Sequence, residues 1–114
     1  MRVAVASIGL DIAPSFSQCE DFNYYTTKSF EIVSSQNIPA QGYTFEGCAE
    51  MLENMGINAI ICDEVGDTTR TAFENHGIVV VEGRKGNALA AAEEFVAQLA
   101  EQFDNASEDG FEDD

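Results

Sequence analysis

Apolar and polar residues alternate with two different periods along this chain, first that of strands and later that of helices. Residues 2–7 form a short apolar, β-branched run, which predicts a buried strand, and a loop rich in glycine, proline and serine follows. Residues 22–27 and 30–35 each alternate between two sets of side chains and are separated by two residues. This spacing predicts an antiparallel hairpin, so the chain is expected to begin with three strands.

From residue 44 onward the apolar positions recur every three or four residues, which is the spacing of a helix. Thr44 is a suitable N-cap and Gly56 a suitable C-terminal glycine for a first helix, and Asp67 can cap a second helix that ends at residue 75. Apolar runs at residues 58–63 and 78–81 predict two more buried strands. The last helix is expected to bury the stripe Leu89, Ala92, Phe95, Val96, Leu99 and Phe103.

The element order βββαβαβα predicts a single α/β domain. Right-handed crossovers place three helices on both faces of a mixed five-stranded sheet of order 3-2-1-4-5, in which strand two runs against the others. This is a ribonuclease H-like arrangement. The domain is expected to span residues 1–103, and residues 104–114 are expected to form a disordered acidic tail, because seven of the 21 carboxylates lie in the last 14 residues.

The net charge of −16 limits the partners of this protein. Residues 1–100 hold 14 acidic and five basic residues, a net charge of −9, and a surface this acidic repels the phosphate backbone of nucleic acids. No run approaches the roughly 20 apolar residues of a membrane helix, and the N-terminus lacks the pattern of a secretory signal. We therefore expect a soluble, cytoplasmic protein that binds neither nucleic acid nor membrane.

Three cysteines occur without a CxxC pair, which favours free thiols over a disulfide framework. In the predicted topology Cys19 follows strand one, Cys48 lies in the first turn of the first helix, and Cys62 ends strand four. All three map to the edge where open α/β sheets bind ligands. Thiolates suit iron-sulfur clusters, copper(I) and zinc, so these residues are predicted metal ligands. The alternative for Cys48 and Cys62 is core packing, since free cysteine is often buried, whereas Cys19 lies in a polar loop.

The segment GRKGN predicts a second feature at the same edge. Arg84, Lys85, the backbone of Gly86 and the following helix N-terminus would form an anion-binding corner, and the alternative is a solvated turn. Gly9, in the loop after strand one, and Gly66, before the second helix, complete the cofactor-binding candidates.

Other site patterns have little support. The chain contains neither a Walker loop nor a GxGxxG motif. Its one histidine, His76, stands at the end of the second helix, where a cation favours the helix dipole, so we interpret it as a cap at the opposite edge from the cysteines.

Four segments together carry a family pattern: MRVAVAS, SFSQCEDFNYYT, GINAIICDEVGDTTRTAFENHGIVVVEG and GNALAAAEEF. Over about residues 1–100 they resemble the dinitrogenase iron-molybdenum cofactor biosynthesis family, the NifX type and the C-terminal domain of NifB-type proteins. The resemblance implies a ribonuclease H-like fold and the binding or carrying of iron-sulfur or molybdenum-containing clusters. It also implies partners among cofactor-assembly proteins, and small stand-alone members in anaerobes. Where the family usually has Phe-Gly and a small residue, this chain has Phe16, Ser17 and then Cys19.

Three functions remain as hypotheses. The first is a non-enzymatic carrier or scaffold for a metal-sulfur cluster, held by some of the three cysteines, with Arg84 and Lys85 offsetting its negative charge. The second is a magnesium-dependent, ribonuclease H-like nuclease that would recruit Asp11, Glu46, Asp63 and Glu64. Strand one offers no carboxylate for the central position of such a site. The third is a protein-interaction module without a cofactor.

Overall fold

The computed structural model describes residues 1–40 and 42–111, with side chains as far as residue 102. The strands are β1 (Arg2–Ile8), β2 (Asp11–Ile12), β3 (Asp21–Lys28), β4 (Glu31–Pro39), β5 (Ala59–Ile61) and β6 (Val79–Val81). The helices are α1 (Phe45–Asn54), α2 (Asp67–Asn75) and α3 (Ala88–Phe111), and a short 3-10 turn covers Phe16–Gln18. These elements form one α/β domain with a mixed open sheet.

The sheet has six strands, so the predicted count of five was wrong, and the observed order differs from the predicted one by the added strand β2. The order is β4-β3-β1-β5-β6, and β2 pairs with β1 beside this path. The extra strand lies in the segment that its glycine and proline content marked as a loop. Gly9 adopts a φ of 65° there and turns the chain back, so that Ser7 pairs with Ile12. As predicted, β3 runs antiparallel to both of its neighbours, and β5 and β6 run parallel to β1.

Each face of the sheet carries a separate apolar cluster. One cluster joins α1 and α2 to the sheet and includes the fully buried Leu52 and Phe73, and the other lies beneath α3 and includes Val3, Val5 and Ala92. The predicted stripe of α3 needs one correction among the described side chains, which do not include that of Phe103. Leu89 is 42% exposed, because the helix turns the small residues Ala88 and Ala92 toward the sheet instead.

The ends of the helices follow local sequence signals. Thr44 caps α1 as predicted, since its side chain accepts a hydrogen bond from the backbone of Gly47, and Gly56 takes a φ of 75° after the helix. Asp67 was the wrong cap for α2: Gly66 holds the cap position and Asp67 lies in the first turn.

The predicted boundary at residue 103 and the predicted acidic tail stay predictions. Side chains from residue 103 and the backbone from residue 112 lie outside the described part of the chain. Within the described part, none of the helices combines the length and the apolar character required to span a membrane.

Candidate functional site

An open pocket of about 510 Å³ lies where β5 and β6 end. Two loops form its walls, the one between β5 and α2 and the one between β6 and α3, together with the turn before Phe16. The pocket thus occupies the carboxyl-terminal edge of the parallel strands, which is where open α/β sheets bind ligands. It is lined by Ser15, Asp63, Glu64, Val65, Gly66, Glu82 and Gly83.

Two cations neutralise part of the negative charge around this pocket. The Arg70 guanidinium lies 2.7 Å from a carboxylate oxygen of Glu82 and 2.5 Å from one of Asp67, and it also donates to the carbonyl of Val65. The hydrogen bond to Glu82 is the main reason that the pKa of Arg70 is raised. Arg70 therefore ties the first turn of α2 to the residue that follows β6.

The second cation is Lys85, whose amino group lies 2.6 Å from the carboxylate of Asp63. The Asp63 side chain is only 10% exposed, whereas that of Lys85 is 78% exposed. This contact raises the pKa of Lys85. A buried carboxylate thus depends on a surface lysine for its countercharge.

We expect Lys85→Met to lower the melting temperature at pH 7, because the substitution leaves the Asp63 carboxylate buried without its ion-pair partner. Arg84→Met is the matched control, since it removes one adjacent positive charge but no ion pair that the structure records. Thermal melts of both variants and of Lys85→Met/Asp63→Asn check the interpretation. An equal melting temperature for the two single variants would show that Lys85 does not support Asp63.

The fold brings the three predicted cysteines into one apolar cluster beside the pocket. Cys48 and Cys62 are buried at 4% and 1% exposure, and the half-buried Cys19 packs against the same cluster. Cys19 lies close enough to the other two for charge on one thiolate to raise the pKa of the next. In the described part of the chain, however, no three histidine, cysteine or acidic side chains are arranged to hold a metal ion together.

The cysteine thiols are protonated at neutral pH. Burial raises the pKa of Cys19 to about 11 and that of Cys62 to about 12, and it also raises the pKa of Cys48. Cys19 lies in a polar loop, yet burial is the main reason that the pKa of its thiol is raised. The 3-10 turn folds Cys19 inward, and its thiol donates to the backbone carbonyl of Asp21 at 3.3 Å.

The glycine-rich segment after β6 is already occupied by backbone hydrogen bonds. The amides of Gly83 and Arg84 donate to the carbonyls of Asp63 and Cys62, and the carbonyl of Gly86 accepts from Ile12 in β2. These bonds fix the segment against β5 and β2 but leave fewer amides for an anion. Among the cations of the described residues at this edge, Arg84 is the one with no ion pair.

The predicted glycine positions divide between the pocket and the strand-one turn. Gly66 lines the pocket, and open space surrounds the position where a side chain would begin. The first turn of α2 starts there, and its amide groups lack intrahelical acceptors. Gly9 instead lies in the β1–β2 turn, where its carbonyl accepts from the Asn23 side chain at 2.7 Å.

Arg70 is the important residue that the sequence analysis missed. Its signal was present, because Asp67 and Arg70 stand three residues apart at the start of a helix and can form an ion pair. Its second partner, Glu82, is 12 residues away and becomes a neighbour only when β6 joins the sheet.

His76 and two of the nuclease candidates, Glu46 and Asp63, take part in ion pairs. His76 holds the C-cap position of α2, as predicted, and its ring nitrogens lie 2.7 and 2.8 Å from carboxylate oxygens of Glu46 and Glu53 in α1. Hydrogen bonds that His76 donates to these carboxylates, that to Glu53 first, raise the pKa of His76. Glu46 and Asp63 are therefore engaged in separate ion pairs, which does not favour a shared magnesium site.

Comparison with known proteins places this fold among cofactor-related proteins. The family model described as "Dinitrogenase iron-molybdenum cofactor" matches residues 1–98. An uncharacterized protein of Methanocaldococcus jannaschii is 26% identical over 109 residues, which cover 91% of this chain and 92% of that protein.

Two solved structures show the same fold. The crystal structure of a "putative dinitrogenase" from Methanocaldococcus jannaschii superposes with a TM-score of 0.72 at 20% identity, covering 86% of this chain and 89% of that one. The NMR structure of a "putative NifB protein" from Thermotoga gives a TM-score of 0.65 at 22% identity, covering 82% and 85%.

Proposed function

The chain belongs to the dinitrogenase iron-molybdenum cofactor family, and from this membership we propose that it is a non-enzymatic carrier or scaffold for a metal-sulfur cluster. The cluster is its cargo, either an iron-sulfur or a molybdenum-containing one, and cofactor-assembly proteins are its partners. The ribonuclease H-like description of the sheet belongs to the same proposal.

The position of Cys19 is the observation that best supports this proposal. Of the three cysteines it alone keeps exposed surface, and it lies at the strand-end edge next to two further thiols. One accessible thiol fits a contact that forms and breaks, because a closed site would need several ligands in a fixed geometry. The donor set therefore suits temporary holding of a cluster better than permanent ligation.

The charges of the edge support the same assignment of roles. Arg70 and Lys85 already neutralise carboxylates, so the Arg84 side chain is the group we assign to the negative charge of the cargo. The first turn of α2 at Gly66 adds amide groups, which favour anions. Cys48 and Cys62 are buried beneath the surface of this edge. They can become ligands of the cluster only if the helix α1 shifts and exposes their thiols.

The test is anaerobic incubation of the purified protein with iron and sulfide, or with a thiomolybdate, followed by desalting. Visible absorbance and metal analysis measure the bound cluster. Because the thiol of Cys19 has a pKa of about 11, its thiolate fraction rises about tenfold for each pH unit between 7 and 10. We therefore expect uptake to increase from pH 7 to pH 9. No retained metal at either pH would contradict the carrier function.

A further inference from the structure

Strand β4 forms one edge of the sheet and is unusually long for an edge strand. Its nine residues pair with β3 on one side, and the other side carries no strand of the described chain. Seven of these nine residues are exposed. An edge of this kind presents backbone donors and acceptors that can pair with another strand.

The charge pattern of the chain singles out the same strand. Residues 32–45 contain no acidic or basic residue, and the next longest uncharged run, residues 54–62, has nine residues and ends in a buried strand. In a chain of net charge −16, this stretch is the place where a second acidic surface can approach with the least repulsion. A basic partner would instead gain by contacting the charged surface elsewhere.

The flank of α1 next to this edge adds a groove of mixed character, whose lining is partly apolar but includes Glu50 and Asn54. Glu46 and Glu53 lie on the flank that faces α2 through His76, so Gly47 and Met51 lie on the flank turned away from α2. An open groove of about 470 Å³ follows that flank, and its lining includes the half-exposed Tyr43. Met51 and Ile38 of β4 both pack against the apolar cluster on this face. Because α1 packs on α2, and α2 packs on β6 at the other end of the sheet, the free flank of α1 lies toward β4.

We propose that β4 pairs with β4 of a second copy of this chain across a two-fold axis. Antiparallel pairing of a strand with itself is self-complementary, so one edge supplies both halves of the interface. The two sheets become one continuous sheet, and the α1 flanks of the two copies approach each other above it. A second copy of this chain is itself acidic, and it is the partner that we assign to the uncharged edge.

The ends of the strand set the size of this interface. The pairing with β3 shifts register between Thr26 and Thr27, so Val33 is an extra, bulged residue, and Pro39 has no N–H to donate. Regular pairing is thus limited to residues 34–38. Such a short interface gives a weak dimer, and the like charge of the two copies makes its affinity increase with salt concentration.

Sedimentation equilibrium of the wild-type protein over a range of concentrations, in low and in high salt, tests this proposal. We expect a reversible monomer–dimer equilibrium that shifts toward dimer at high salt. Ser35→Glu should weaken the dimer about fivefold or more, because it places like charges on facing strands. Gln98→Glu is the matched control, since it adds the same charge at an exposed position of α3.

A mixing experiment separates pairing from unfolding of the edge. Ser35→Glu and Ser35→Lys proteins, when mixed, should associate with each other more tightly than Ser35→Glu does with itself. A wild-type protein that stays monomeric up to about 1 mM in high salt would overturn the proposal. So would equal weakening by Gln98→Glu. Neither of these two results would contradict the carrier function, because cluster uptake can be measured on the monomer as well as on the dimer.

Discussion

The Cys19→Ser protein is expected to lose most of its cluster uptake and to unfold at nearly the same temperature as the wild type. A serine hydroxyl can still donate to the carbonyl of Asp21, so the 3-10 turn keeps its hydrogen bond. It cannot provide the soft thiolate ligand that iron and molybdenum-sulfur clusters require. Absorbance and metal content after anaerobic reconstitution, measured beside a thermal melt, give both quantities on one preparation.

Cys48→Ser is the control for this comparison. Cys48 is buried in the apolar cluster, so a serine there places a hydroxyl without an assured partner and costs about 1 to 3 kcal/mol of stability. We expect the Cys19→Ser variant to lose cluster uptake but not stability, and the Cys48→Ser variant to lose stability. If Cys19→Ser binds as much cluster as the wild type, the cysteine edge is core packing and the carrier function loses its main support.

The Phe73→Ala protein is expected to lose about 3 to 5 kcal/mol of its free energy of unfolding. Phe73 is fully buried between α2 and the sheet, and its ring centroid lies 5.4 Å from that of Phe16 in an edge-to-face contact. Its removal leaves a cavity beneath the turn that carries Cys19. Urea unfolding followed by circular dichroism measures the change.

Phe45→Ala provides the matched comparison. Phe45 also contacts Phe16, at 5.9 Å, but it is 44% exposed. Its loss should therefore cost clearly less, because the vacated space opens to water rather than forming a cavity. Equal losses in the two variants would mean that contact with Phe16, and not burial, determines the stability of this cluster.

The sequence predicted the elements whose signals are local. Period and caps located α1 between Thr44 and Gly56, and the hairpin spacing located β3 and β4. The two-residue strand β2 could not be found in this way, because Asp11 and Ile12 have no period of their own. They become a strand only through pairing with β1 and through the bond from Ile12 to Gly86.

The candidate site was predictable in place but not in detail. Strand direction and order were enough to bring the three cysteines near one another, and they pack together in one apolar cluster. The ionisation of the Cys19 thiol could not be predicted from the sequence, because its pKa depends on how far the 3-10 turn buries the thiol. The pairing of Lys85 with Asp63 likewise joins residues 22 positions apart, and only the fold decides which carboxylate a lysine meets.

The central position of β1 has a consequence for the order in which the chain folds. This strand is synthesised before the other strands of the sheet, and its pairings with β2 and β3 involve residues close in sequence, but its parallel neighbour, β5, lies more than fifty residues later. Closing that long loop is slow compared with forming the local hairpins. During synthesis, the antiparallel half of the sheet is therefore expected to form first and to wait with β1 as a temporary open edge, until β5 leaves the ribosome and covers it.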